Sequence, residues 1–273
     1  MSYELNERIG RIMPEEVYFR DTGVCRFSLM DGIEIAGVSG NTWEEYCSFL
    51  GKVSLVDKFV VSPELITYAG MKFDEMESNV GLINQRIESI VDFSRSFVDT
   101  TFVLGTPLFV VESKPRNSAL LIKNGEIIGV TNKRSGATIE ENRYFDLVAE
   151  EPPLVLPGTQ TGLLICADLP TASLYVKRDD ELLLETLRLS RRDHLIGKNV
   201  ELVPSSATSL LVIACWGVGG QWMETGKEDF YYGVQLRNIA TRVMRESNIK
   251  EIVVVDRSPD GLVKPFNSLI RLN

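Results

Sequence analysis

The sequence predicts an α/β fold in a single domain spanning residues 1–273, and three observations lead there. Apolar runs of strand length alternate with amphipathic helical patterns along the chain. An Asn-Gly dipeptide between two apolar runs marks a hairpin, and no repeat, linker or low-complexity tract divides the chain. At 273 residues, 44% hydrophobic and 25% charged, the chain can bury a large core.

The elements follow in order. Thr42 to Leu50, TWEEYCSFL, opens with a capping box of Thr42 and Glu45 and meets Gly51 as a stop. Trp43, Tyr46, Cys47 and Leu50 fall at helical spacing, so Cys47 reads as core packing. Lys58 to Val61 reads as a strand whose regularity stops at Pro63, leaving Glu64 at or just beyond its end. Asn79 to Phe93 carries Ile83, Ile87, Ile90 and Val91 on one helical face. TTFVLGTPLFVV then reads as a strand interrupted by Gly105 and Pro107.

Ser118 to Asn132 is a hairpin around Asn124-Gly125, because both turn residues tolerate positive φ, and Lys133 sits just past its second strand. PPLVLPGTQTGLLIC is a further strand pair joined across Pro157 to Thr161, with Cys166 ending the second member. Asp179 to Arg192 has a helical pattern, and Ser209 to Trp216 is an apolar strand that would hold Cys215 inside it. Val234 to Ser247 is an amphipathic helix, and Glu251 to Asp256 is a strand before the turn SPDG.

Charge and composition narrow the function. A net charge of −9 and a pI near 4.9 argue against a nucleic-acid partner, whose affinity needs a dense basic face. The first thirty residues lack a basic-then-apolar signal pattern and no run approaches the ~18 apolar residues of a membrane span, so the expectation is a cytoplasmic protein with no membrane partner. Cys25, Cys47, Cys166 and Cys215 are far apart and form no CxxC pair, which fits free thiols. The one histidine, His194, cannot build HExxH zinc chemistry and reads as a solvated surface residue. Neither GxGxxG nor GK[ST] occurs, so a nucleotide site is not expected.

Three polar residues stand at the ends of three apolar strands: Glu64, Lys133 and Cys166. Each has an ordinary structural reading alone, as a helix cap, a solvated turn residue and buried packing. Together they suggest a shared site. A thiol is a poor nucleophile until ionised; a nearby ammonium lowers its pKa and a carboxylate can take its proton, so Glu and Lys could replace the missing histidine in acyl transfer through a thioester.

At these residues the sequence resembles the nitrilase superfamily of carbon-nitrogen hydrolases, whose members use Glu, Lys and Cys in that chain order. SPELI around Glu64, NKRSG around Lys133 and GLLICAD around Cys166 resemble the family's base, lysine and nucleophile segments, and EENRYF resembles its E-x-x-x-F segment. The resemblance covers roughly Lys58 to Asp168, and Ser209 to Gly261 in element pattern only. It implies a four-layer α-β-β-α sandwich and no metal or organic cofactor. It further implies Glu64 as general base, Cys166 as nucleophile, Lys133 with the Ala167 backbone N–H as oxyanion donors, and Glu141 holding the lysine, with Glu140 as the alternative register. Asp168 would shape the turn, and Trp216, in WGVGG, would line a substrate pocket.

The expected reaction is cleavage of a carbon-nitrogen bond in a small non-peptide amide, and the expected assembly is a homodimer or a higher homo-oligomer. Two departures stand out. Ala167, Asp168, Leu169 and Pro170 replace the aromatic and Arg-Phe-Pro-Glu run common in the family, and an extra charged segment lies near 171–205. The first of these, with an amino-terminal region whose first forty residues match the family poorly, motivates the alternative of a catalytically silent protein that binds a small amide or a partner.

Overall fold

A computed structural model describes residues 15–19, 23–54, 57–110, 113–136, 139–148, 150–175, 195, 201–215, 228–257 and 267–271. In chain order the first half holds β1 (Glu15–Phe19), β2 (Gly23–Ser28), β3 (Glu34–Ser39), α1 (Trp43–Leu50), β4 (Phe59–Val61), α2 (Val80–Ser94) and β5 (Thr101–Leu108). There follow β6 (Arg116–Lys123), β7 (Glu126–Asn132), α3 (Ile139–Tyr144), β8 (Leu154–Val155), β9 (Thr161–Ile165) and α4 (Asp168–Tyr175). The described elements end with β10 (Ser209–Ala214), α5 (Glu228–Glu246), β11 (Glu251–Asp256) and β12 (Asn267–Arg271).

The strands form two six-stranded sheets, ordered β2-β3-β4-β5-β6-β7 and β1-β12-β11-β10-β9-β8. The period-two alternation of each strand decides what its two faces cover. Leu163, Ile165, Leu211, Ile213, Val253 and Val255 of one sheet pack against Phe27, Ile35, Phe59, Val61, Val103 and Leu121 of the other. The alternate residues Leu164, Leu210, Val212, Ile252 and Val254 face outward onto Leu236, Ala240, Val243 and Met244 of α5. On the opposite outer face, Val60, Phe102, Leu104, Leu120 and Ile122 meet Tyr46 and Leu50 of α1 and Ile83, Ile87 and Ile90 of α2. Three apolar layers between four layers of elements make the fold the expected α-β-β-α sandwich.

Local chemistry explains the element ends. Thr42 accepts the Glu45 backbone N–H at 3.1 Å, while the Glu45 carboxylate reaches back to the Asn41 N–H at 2.8 Å, one residue before the cap. Asn124 and Gly125 turn the β6-β7 hairpin with φ of 49° and 79°, the pair of positive values that a type I′ turn requires.

Three expectations need correction. Cys47 is exposed, because the buried stripe of α1 runs through Tyr46 and Leu50 and leaves Cys47 on the solvent side. Gly105 and Pro107 do not interrupt β5, which pairs with β6 through both of them. Proline is tolerated there because β4 covers β5 only from Thr101 to Val103, so the edge beyond needs no N–H. Cys215 lies one residue past the end of β10 and is only partly buried.

The helix expected over 179–192, the turn SPDG, Trp216 and most of the segment 171–205 lie outside the described residues. No helix among the described residues is long and apolar enough to cross a membrane.

Candidate active site

The carboxylate segment is shaped by its backbone. After β4, Ser62 still pairs with Val103, its N–H donating to the Val103 carbonyl at 2.9 Å, and Pro63 then ends the ladder. Leu65 turns the chain with φ of 53°. This loop lies directly on Gly105: a Cβ there would come within 2.3 Å of the Pro63 carbonyl oxygen and 2.8 Å of Glu64 Cα. The Ser62 hydroxyl accepts the Gly105 N–H at 2.8 Å and donates to the Pro63 carbonyl at 3.0 Å. From the other sheet, buried Arg257 donates to the Glu64 carbonyl at 2.9 Å and the Leu65 carbonyl at 3.3 Å, and the Glu64 N–H reaches the Ala214 carbonyl at 3.3 Å.

Lys133 follows β7, its N–H donating to the Asn117 carbonyl at 2.7 Å as the β6-β7 ladder closes. Its side chain is buried, and Nζ donates to Glu64 Oε1 at 2.7 Å and to Glu141 Oε1. Glu141 comes from α3, whose following residue Phe145 is buried and fixes which face of that short helix points inward. Of the EENRYF segment, Glu141 joins the cluster. Asn117 Nδ2 donates to Glu64 Oε1 at 2.6 Å and to Glu141 Oε1 at 3.2 Å.

Cys166 is the first residue after β9 and holds φ at 48°, in the left-handed region that a non-glycine residue occupies only at a cost of about 1–3 kcal/mol. Its N–H still pairs across the sheet with the Ile213 carbonyl at 2.8 Å, and the chain then turns into α4. Asp168 holds this turn. One of its oxygens accepts the Arg134 N–H at 3.0 Å, the Ser135 N–H at 2.9 Å and the Ser135 hydroxyl at 3.1 Å, and the other takes the Ile165 N–H at 3.4 Å. The nucleophile turn and the lysine segment are thus tied together.

The thiol, the ammonium and both carboxylates are close enough for their charges to act on one another. Burial and the charges of Glu64 and Glu141 push the Cys166 thiol well above its ordinary value, against the pull of Lys133 and of a hydrogen bond from the Cys215 backbone. The ammonium does pull the thiol down, as expected, but burial and the two carboxylates outweigh it. Burial alone would push Lys133 down, but the negative groups around it, Cys166 once ionised and the carboxylates of Glu141 and Glu64, hold it well above the usual lysine value. The resting cluster is a neutral thiol beside a charged lysine.

Sequence reasoning located Glu64, Lys133, Glu141, Cys166 and Ala167, and the structure gathers the first four at one end of the facing sheets, with Ala167 next to the thiol. It missed Asn117 and Arg257. Arg257 directly follows EIVVVD, a charged residue just past an apolar strand pattern, which is the same signal that singled out Lys133. Asn117 carried only the weaker mark of a polar residue opening an apolar hairpin. Among the described residues no group of three or more His, Cys, Asp or Glu side chains is arranged to hold a metal ion.

The molecule is thus a four-layer α/β sandwich whose strand ends converge on a buried lysine, two carboxylates and a thiol. No protein-family model and no curated protein sequence matches the chain. Solved structures do. A variant of the amidase from Nesterenkonia sp. AN1, with acrylamide added at its active-site cysteine, superposes with a TM-score of 0.53 at 15% identity over 84% of this chain and 87% of that one. A cysteine-to-serine variant of that amidase, a protein of the nitrilase superfamily, gives a TM-score of 0.50 at 16% identity over 80% and 79% of the two chains. Glutamine-dependent NAD+ synthetase from Acinetobacter baumannii gives 0.51 at 16% identity, over 95% of this chain but 47% of that one. The chain has the fold of the nitrilase superfamily.

Proposed function

We propose that the protein is a carbon-nitrogen hydrolase that cleaves a small non-peptide amide through a thioester on Cys166. The observation that carries this reading is the buried Lys133 ammonium held between Glu64 and Glu141 beside the Cys166 turn. A buried charge cluster costs folding energy, and such clusters gather at catalytic sites. The likeness to an amidase whose active-site cysteine takes an acrylamide adduct supports the same assignment.

In the proposed cycle Glu64 takes the thiol proton as Sγ attacks the amide carbon, so that thiolate never accumulates in the resting site. The carbonyl oxygen becomes an oxyanion, stabilised by Lys133 and the Ala167 backbone N–H. Glu64 passes its proton to the amide nitrogen as the carbon-nitrogen bond breaks, releasing ammonia or an amine and leaving the thioester. Water then loses a proton to Glu64 and attacks the thioester carbon. The acid departs, and Sγ recovers the proton.

The test is ammonia release from a panel of small primary amides by the parent and by Cys166→Ala. Release by the parent alone would establish reaction and nucleophile together. Release by neither leaves the silent binding protein as the surviving reading.

A further inference from the structure

We infer that Asn117 is a positioning residue that fixes which oxygen of Glu64 takes the proton, an assignment that rests on the hydrolase reading above. Four atoms close a ring in which donors and acceptors alternate: Lys133 Nζ, Glu64 Oε1, Asn117 Nδ2 and Glu141 Oε1. Both donors serve both carboxylates. The orientation of the Asn117 amide follows from chemistry, since its oxygen, turned the same way, would face two acceptors with nothing to donate.

The ring leaves a cost elsewhere. Asn117 is buried, and among the described residues its Oδ1 has no hydrogen-bond partner, which for a buried amide oxygen costs about 1–3 kcal/mol. An apolar residue of the same shape would avoid that cost but would surrender the ring. The backbone around it is fixed, with the Asn117 carbonyl accepting the Lys133 N–H and the residue paired opposite Pro107 of β5. The amide therefore approaches the carboxylates from a rigid strand.

The consequence falls on Glu64. Its Oε1 carries two hydrogen bonds, one of them from a cation, and is the less basic oxygen; no described group bonds its Oε2. Oε2 is the proton acceptor. A neutral donor suits this place: a second ammonium would quench the basicity of Glu64, whereas a third carboxylate would repel it. Asn117 holds the carboxylate without neutralising it.

The experiment compares Asn117→Leu, of similar shape and without a donor, and Asn117→Asp, an acceptor in place of the donor, with the parent. Hydrolysis of the best amide and acrylamide addition to Cys166 are both followed across pH. Losing a hydrogen bond to a charged group should lower kcat about 10- to 100-fold in Asn117→Leu with KM changed less than about twofold. In both variants the acidic limb of kcat/KM and of acrylamide addition should move to higher pH, because each change takes a hydrogen-bond donor away from the Glu64 carboxylate.

Parent-like kcat, or a loss of kcat with both acidic limbs unmoved, would overturn the inference. If neither variant folds, Asn117→Ser, which keeps a hydroxyl donor and room for water, is judged by the same two outcomes. Acrylamide addition needs the thiol deprotonated and a proton delivered to the acrylamide carbon beside its carbonyl, and it breaks no carbon-nitrogen bond. Shifted addition limbs in a protein that hydrolyses no amide would therefore sink the hydrolase reading and leave Asn117 in place, while normal hydrolysis with unmoved limbs would do the reverse.

Discussion

Asp168 and Arg134 are joined twice: the carboxylate accepts the Arg134 backbone N–H at 3.0 Å and lies 3.6 Å from its guanidinium, both side chains wholly buried. Arg134 follows the lysine and Asp168 follows the thiol by two residues, so this pair sets the distance between Lys133 and Cys166. Burial pushes the Asp168 carboxyl up despite the pull of Arg134 and Lys133, so the pair organises the site more than it stabilises the protein. Asp168→Ala would leave the guanidinium buried without its carboxylate and free three donors of the lysine segment. It should cost about 3–5 kcal/mol in urea unfolding and abolish hydrolysis.

Gly105→Ala tests the contact between β5 and the Glu64 loop. A methyl group there meets backbone, not a movable side chain, at 2.3 Å from the Pro63 oxygen, so the loop must shift. The expected cost is about 1–3 kcal/mol, with a loss of activity larger than that cost implies because Glu64 moves. Gly129→Ala is the control. Its added methyl would meet only Leu121 side-chain atoms at 3.7 and 3.8 Å, and it should leave both stability and activity unchanged.

Alkaline pH should destabilise the protein through the thiol. The folded-state value of Cys166 is raised above that of the unfolded chain, so its contribution is fully present below the unfolded thiol value of about 8.5 and is lost as pH rises toward the folded one. Above pH ~8.5 the unfolded chain releases a proton that the native state keeps, which lowers stability by up to about 1.4 kcal/mol per pH unit for this one group. Cys166→Ala should flatten the alkaline limb by that slope. Urea unfolding of the two proteins from pH 7 to 10 checks it, and parallel limbs would show that the native thiol ionises normally.

Much of this architecture was legible because the signals are local. Ile83, Ile87 and Ile90 announce one buried helical face, Asn124-Gly125 announces a hairpin, and the runs before Lys133 and Cys166 can only be strands that end there. What was hidden depends on contacts between distant segments. Gly105 reads as a strand breaker until the Pro63-Glu64 loop is seen to press on it. Cys47 reads as core because one step along a helix, 100°, separates the stripe of Tyr46 and Leu50 from solvent. The direction of the Cys166 shift was hidden too, since adjacency in space to two carboxylates and one lysine is a sum that no spacing in the chain reveals.

In the proposed mechanism Cys166, protonated at rest, becomes the nucleophile when Glu64 takes its proton. Acrylamide addition followed by peptide mass spectrometry tests it most directly. An adduct should form on Cys166 faster than on exposed Cys47 and slow at least about tenfold in Glu64→Gln, where the proton acceptor is gone. Addition to Cys47 alone, or to Cys166 at the same rate with and without the Glu64 carboxylate, would contradict it.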